Sequence, residues 1–130
     1  MKENDLFVTE FFLEEKIYRG FINLFGDKNP LHVDKEYAVQ KGFRDKVVHG
    51  NILSGFLSFF IGECLPVKNV ILVSQNMKYH KPMYINDKLR LNAIITGIFE
   101  SVNIIEMKFK FLNQSDEKIA SGNFQIGILQ

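Results

Sequence analysis

Two residues whose side chains can exchange protons stand close together in one short segment. Asp27 and His32 lie five positions apart, with Gly26 before them and Pro30 between them. A carboxylate and an imidazole held on a preorganised loop can bind one water molecule from two sides, as general acid–base chemistry requires. A structural interpretation also exists, in which the Asp27 side chain only forms a turn and His32 is only packed. The spacing alone leaves both interpretations open.

The other residues that could do chemistry are scattered along the chain. We expect His49 to hold its loop by a hydrogen bond and His80 to be a strand residue. Three histidines and one cysteine without closely spaced ligand pairs predict no metal site. No Ser/His/Asp nucleophile pattern and no glycine-rich phosphate loop occur, so we expect no cofactor. The single Cys64 excludes an intrachain disulfide and is typical of a reducing compartment.

The first half of the chain has the spacing of helices that could position this segment. Apolar residues within 14–25 recur at helical intervals after a pair of glutamates, which predicts a helix. Asp34 is a candidate N-cap for a short helix over residues 34–40. Residues 50–62 are apolar on nearly every side, so they predict a helix that is buried over most of its surface.

The second half of the chain alternates apolar and polar residues and predicts strands. The first strand covers residues 70–79. In each of the next three strands the alternate residues that share one face lie within Leu89–Ile95, Asn103–Phe111 and Ala120–Ile128. Short connections predict an antiparallel meander. We therefore predict an α+β fold over residues 1–130 as a single domain, with the sheet wrapped around the buried helix.

Composition narrows the class of protein. Hydrophobic residues make up 46% of the chain, and the formal net charge of +1 comes from interspersed acidic and basic residues. No stretch of eighteen apolar residues occurs, and the first residues are polar, so we expect no membrane span and no secretory leader. No basic footprint for nucleic acid is present. These features predict a cytoplasmic protein that binds neither membrane nor nucleic acid.

The segment from Asp27 to Asp34 resembles the hydratase-2 motif of MaoC-like dehydratases, Asp-x-Asn-Pro-Leu-His-x-Asp. The resemblance extends to Val47–Gly50, which is similar to the family's Val-His-Gly before its central helix. Ser58 matches a serine position of bacterial (R)-hydratases, and Gln75 to Leu89 resembles the family's strand–loop–strand. The similarity covers most of residues 10–130.

This resemblance implies a hot-dog fold and a hydro-lyase that adds water to a trans-2-enoyl thioester, or removes it from the (R)-3-hydroxyacyl thioester. It implies that Asp27 and His32 bind the water, and that the Gly50 backbone N–H polarises the thioester carbonyl. A helix N-terminus suits that role, because its unpaired donors stabilise a developing enolate oxygen. The implied substrate is an acyl-CoA, with acyl-ACP as a second carrier. Further implied substrate-binding residues are Asn29, Asn51 and Ser58.

Two positions depart from the family pattern. Phe25 precedes the Gly-Asp pair where the family has a small or hydroxylated residue, and Asn51 replaces an apolar residue. Two other functions stay open at this point. A hot-dog thioesterase would cleave the thioester, and a non-catalytic subunit would only bind it.

Assembly and substrate size can also be predicted. A wrapped sheet with an unpaired edge strand and an apolar helix predicts at least a homodimer. Bulky side chains at Phe56, Leu57 and Phe59, together with the polar Asn51, predict a crowded pocket that favours short acyl chains.

Overall fold

The computed structural model describes residues 1–130 and contains five strands and four α-helices. In chain order they are β1 (Leu6–Phe12), α1 (Glu15–Phe25), α2 (Pro30–Val33), α3 (Lys35–Gln40), α4 (Ile52–Phe59), β2 (Val70–Tyr79), β3 (Lys88–Phe99), β4 (Ile104–Leu112) and β5 (Lys118–Ile128). A π-helical turn, Phe60–Cys64, continues α4. A 3₁₀ turn, Glu100–Val102, connects β3 to β4.

The strands form one antiparallel sheet in the order β1-β3-β4-β5-β2. The predicted α+β class is therefore confirmed, and β3, β4 and β5 form the expected meander. The prediction was wrong for β2, which pairs with β5 rather than with β3. The intervening residues 80–87 do not form a hairpin but lead to β3, which lies between β1 and β4 toward the other side of the sheet.

Helix α4 lies against the inner face of the sheet and supplies much of the core. Ile52, Leu53, Phe56 and Leu57 are buried in a cluster with the inward side chains of β3, β4 and β5. The opposite side of the helix is not fully covered, because Phe59 is 53% exposed. None of the helices is long and apolar enough to cross a membrane.

Two features of the fold differ from the sequence predictions. Strand β1 was not predicted from the sequence. It pairs with β3 along its whole length. Asn103, predicted to share the inward face of β4, lies before the strand in a left-handed conformation with φ of 56°. It closes the turn after residues 100–102 by donating its N–H to the Glu100 carbonyl.

Candidate active site

The loop after α1 is shaped by Gly26 and two side-chain turns. Gly26 ends the helix with φ of 76°, a left-handed conformation that glycine adopts without strain, and its N–H donates to the Ile22 carbonyl at 2.8 Å. Asp27 Oδ1 accepts the Asn29 N–H at 3.2 Å. Asn29 Oδ1 accepts the Leu31 N–H at 3.1 Å and caps α2. The turn-forming role of Asp27 thus uses Oδ1 and leaves Oδ2 free for chemistry.

His32 is fixed at both its ring and its backbone. Its Nδ1 lies 2.7 Å from the Val47 carbonyl, which can only accept, so Nδ1 carries the proton and Nε2 of the neutral ring has a free lone pair. The Tyr18 hydroxyl donates to the His32 carbonyl. Nε2 faces Asp27 Oδ2 across 4.0 Å. This distance is too long for a direct hydrogen bond and suits one bridging water.

His49 contacts both of these residues. Its Nε2 donates to the Asp27 carbonyl at 2.9 Å, which confirms the loop-holding hydrogen bond expected from the sequence. Its ring stacks on that of His32 at a centroid distance of 3.9 Å, and Phe21 covers it at 4.8 Å. His49 Nδ1 is buried without a hydrogen-bond partner. The ring therefore lies behind the two candidate catalytic residues and supports their positions.

Gly50 and Asn51 begin the turn into α4 with their backbone donors unused. Neither N–H has a hydrogen-bond partner within the chain, whereas those of Ile52 and Leu53 are bonded to the His49 and Gly50 carbonyls. A Cβ on Gly50 would lie 2.8 Å from the Tyr79 ring, so a side chain does not fit there without movement. The two free N–H groups at a helix start can stabilise a negatively charged oxygen.

Two open cavities meet at this point. The β2-side cavity has a volume of about 450 Å³ and is lined by His32, Phe43, Val47, Val48, Gly50, Asn51, Leu53, Tyr79, His80, Lys81, Pro82, Met83 and Ile119. The α1-side cavity has a volume of about 880 Å³ and is lined by Ile17, Gly20, Phe21, Leu24, Phe25, Asp27, Asn51, Ile52, Ser54, Gly55 and Phe56. Asn51 lines both, so the Asp27–His32 pair lies where the cavities join.

The structure therefore brings together four of the six predicted site residues: Asp27, His32, Gly50 and Asn51. Asn29 and Ser58 line neither cavity. Asn29 caps α2 with its side chain, and Ser58 is exposed on the outer side of α4, two turns from Gly50. Their substrate contacts stay predictions.

Of the three bulky side chains predicted to crowd the acyl pocket, one lines a cavity, and the crowding itself stays a prediction. Phe56 lines the α1-side cavity. Leu57 is fully buried in the core, and Phe59 lies outside, edge-on to Phe11. A helix that packs against a sheet turns only some of its bulky residues toward the cavity.

Asp27, His32 and His49 place one potential ligand atom each within 4.8 Å of one another. Sequence spacing identified Asp27 and His32 but not the third member, because His49 lies 17 residues beyond His32 in the chain. The Nε2 of His49 is already used as a donor to the Asp27 carbonyl, which leaves two ligand atoms free. The expectation that the protein uses no metal stays a prediction.

Two tyrosines at the site were not predicted from the sequence. Tyr18 supports His32, and Tyr79 packs over Gly50 with its hydroxyl 3.4 Å from Asn51 Oδ1. Burial raises the pKa of each phenol above its ordinary value, so both remain neutral hydrogen-bond donors near neutral pH. Tyr18 lies in a helical pattern and Tyr79 in an alternating pattern. Neither pattern predicts these contacts, because they join distant parts of the chain.

Comparison with known proteins places this geometry in a family. The model of the MaoC like domain matches residues 3–115. The (R)-specific enoyl-CoA hydratase of Rhodospirillum rubrum is 35% identical over 85 residues, which are 65% of this chain and 58% of that protein. The (R)-specific enoyl-CoA hydratase of Aeromonas caviae is 28% identical over 103 residues, which are 79% of this chain and 77% of that protein.

Solved structures agree on the fold. The R-hydratase PhaJ1 from Pseudomonas aeruginosa superposes with a TM-score of 0.89 at 22% identity, covering 100% of this chain and 83% of that one. The predicted hot-dog fold is thereby confirmed. The protein belongs to the MaoC-like family.

Proposed function

We propose that the protein is an (R)-specific enoyl-CoA hydratase, or 3-hydroxyacyl thioester dehydratase in the reverse direction. The observation that carries this proposal is the 4.0 Å gap between Asp27 Oδ2 and His32 Nε2, beside the unpartnered N–H of Gly50. A carboxylate and a neutral imidazole can both bond to one water in that gap. The Gly50 N–H can donate a hydrogen bond to the thioester oxygen, which gains negative charge in the reaction.

The chemistry follows from these three groups. The water oxygen bonds to C3 of the enoyl thioester while one of Asp27 and His32 takes a proton from it. Electron density moves onto the thioester oxygen, which the Gly50 N–H stabilises as an enolate. The proton taken from the water is then passed to C2 with the help of the other member of the pair, and the product is the 3-hydroxyacyl thioester. No atom is left over, and the enzyme returns to its starting state.

The two cavities give the substrate a direction. The α1-side cavity has apolar walls, including Phe21, Phe25 and Phe56, and suits the acyl chain. The β2-side cavity includes His80 and Lys81 and suits the polar arm that follows the thioester. The thioester itself then lies at Gly50, between them. The names of the relatives support an acyl-CoA substrate, and an acyl carrier protein is the alternative carrier.

One assay tests this function against its rivals. Crotonyl-CoA is incubated with the protein while enoyl absorbance and free thiol are followed together. A hydratase removes the enoyl absorbance without releasing thiol. Thiol release would instead identify a thioesterase, and the absence of both changes would leave a thioester-binding subunit.

The same proposal includes a homodimer. Strand β2 is an edge strand with one unpaired side, and Ile71, Leu72 and Val73 on it are all exposed. An apolar, unpaired edge favours pairing with a second copy. Sedimentation at low micromolar concentration should give a mass near twice 15.1 kDa or a multiple of it. A fully active monomer would contradict this assembly.

We also propose that residues 1–130 act as one domain, which the single cluster of 23 buried residues supports. The cytoplasmic location stays a prediction from the sequence.

A further inference from the structure

The outer face of the sheet, which points away from α4, carries four lysines without partners. Lys78, Lys108, Lys110 and Lys118, here called the lysine face, form no ion pair and no side-chain hydrogen bond. Lys108 and Lys110 alternate with the buried Phe109 and Phe111 along β4. In the register, Lys110 lies opposite Ser121, and Ser121 lies opposite Lys78.

The four lysines differ in this respect from two cations that lie beside them. Two neighbouring cations, Arg90 and Lys81, are each paired with an acidic residue, Asp116 and Glu117 respectively. The whole chain has a net charge of only +1. The lysine face is therefore a concentrated positive region on a nearly neutral protein, and such a region attracts anions.

Three of these lysines surround a concave groove. A cavity of about 600 Å³ is lined by Lys108, Lys110 and Lys118, together with the polar residues Asn92 and Ser121. Leu6 and Ile94 give it an apolar part. A groove lined by both ammonium groups and aliphatic side chains suits a ligand that joins phosphates to a flat organic ring.

This groove adjoins the β2-side cavity. Ser121 lines the groove, and its hydroxyl is 2.7 Å from Nε2 of His80, which lines the β2-side cavity with Gly50. His80 directly follows β2, and its backbone N–H donates to the Ile119 carbonyl on β5. This hydrogen bond holds His80 beside Ser121. A chain that leaves the site past His80 reaches the lysine groove after crossing about one strand spacing, ~5 Å.

We propose that the lysine groove binds the phosphorylated adenosine end of coenzyme A. The inference rests on the proposed function, which places the thioester at Gly50 and the pantetheine arm in the β2-side cavity. The arm then passes His80 and Ser121, and the phosphates meet Lys108, Lys110 and Lys118. The adenine ring lies over Leu6 and Ile94. The groove thus selects coenzyme A over carriers that lack this nucleotide.

The test compares two substrates that share the same enoyl group and arm. Crotonyl-CoA carries the nucleotide, and crotonyl-pantetheine does not. The variant Lys108→Gln/Lys110→Gln/Lys118→Gln should raise KM for crotonyl-CoA about fivefold or more, because exposed ion pairs are individually weak but three are removed. Its kcat for crotonyl-CoA and both constants for crotonyl-pantetheine should not change. Lys16→Gln, an exposed lysine on α1 outside these cavities, is the matched control.

Salt gives a second readout. In the unmodified protein KM for crotonyl-CoA should rise with ionic strength, and this rise should be much weaker in the triple variant. Adenosine 3′,5′-bisphosphate titrated by calorimetry should bind the unmodified protein and not the triple variant, whether or not hydration is observed.

Three results would overturn the inference while leaving the hydratase function intact. The triple variant could keep its KM for crotonyl-CoA, or lose activity equally with both substrates. It could also lose activity only with crotonyl-ACP, which would assign the lysine face to an acidic carrier protein. If no thioester is hydrated, the proposed function fails, and binding of adenosine 3′,5′-bisphosphate alone decides the groove.

Discussion

The two cavities that meet at Asn51 differ in chemistry as well as in size. The α1-side cavity is about twice as large as the β2-side cavity, about 880 against 450 Å³, and aromatic side chains of α1 and α4 form its walls. The β2-side cavity contains imidazole and ammonium groups from His80 and Lys81. The α1-side cavity thus offers aromatic walls for hydrocarbon, whereas the β2-side cavity combines apolar walls with these two polar side chains.

Under the proposed function, this difference places the chemistry at the junction. An acyl thioester is apolar on one side of its carbonyl and polar on the other, so it can fill both cavities only with its carbonyl near Gly50. Asp27 then faces the acyl side, and His32 faces the arm side. In the proposed function, a water in the 4.0 Å gap between them is positioned to attack C3 of the substrate.

Removing either catalytic candidate should have the largest effect. Asp27→Asn and His32→Ala should each lower the rate of crotonyl-CoA hydration by at least ~10²-fold, the usual scale for a positioned acid or base. Asp27 is about half exposed, so its variant should unfold at nearly the same temperature as the unmodified protein. Near-normal turnover in either variant would remove that residue from the mechanism.

Closing the junction itself should come next. In Gly50→Ala the added Cβ would meet the Tyr79 ring at 2.8 Å, so ring or backbone must move and the oxyanion donor is displaced. We expect kcat/KM to fall about tenfold to a hundredfold. Gly62→Ala is the control, because a Cβ there meets nothing within 4 Å. Equal losses in both variants would argue against a special role of Gly50.

His49 should have a smaller, purely positional effect. His49→Phe keeps an aromatic ring against His32 but removes the donor to the Asp27 carbonyl. We expect kcat to fall about tenfold with KM unchanged, on the scale of one lost hydrogen bond. The same change also removes the unpartnered Nδ1, so the unfolding midpoint should not fall with the rate. Parallel losses of rate and stability would reduce His49 to a packing residue.

The smallest effect should be on chain length, and it concerns the α1-side cavity alone. Phe56→Ala enlarges this cavity and should shift the preference toward longer enoyl chains, by a few-fold for each added methylene that gains ~0.8 kcal/mol of burial. Phe12→Ala, a half-exposed phenylalanine on β1, is the control. A preference that shifts equally in both would show that the acyl chain lies elsewhere.

Local patterns were enough to predict much of this molecule. The Asp34 cap does accept the Tyr37 N–H at 3.2 Å, and β2 occupies the predicted residues 70–79. These features depend on neighbours in the chain. Strand β1 was not predicted because its outward residues Leu6 and Val8 are apolar. The segment therefore lacks the alternation of apolar and polar residues that indicates a strand.

The site was predictable only in part for the same reason. The motif identifies Asp27 and His32, but their 4.0 Å separation depends on Val47 and Tyr18, which lie 15 and 14 residues away from His32. The place of β2 at the edge depends on its pairing with β5, which no local pattern specifies. The strand order therefore depends on pairing between distant residues, which local propensity does not determine.

The most direct test of the central claim follows the oxygen atom of the water. Crotonyl-CoA is incubated in oxygen-18 water with the unmodified protein and with Asp27→Asn, and the products are analysed by mass spectrometry. Our account predicts one labelled oxygen on C3 of an intact 3-hydroxybutyryl thioester, formed at least ~10²-fold more slowly by the variant. Label in a free carboxylate, accompanied by released thiol, would contradict it.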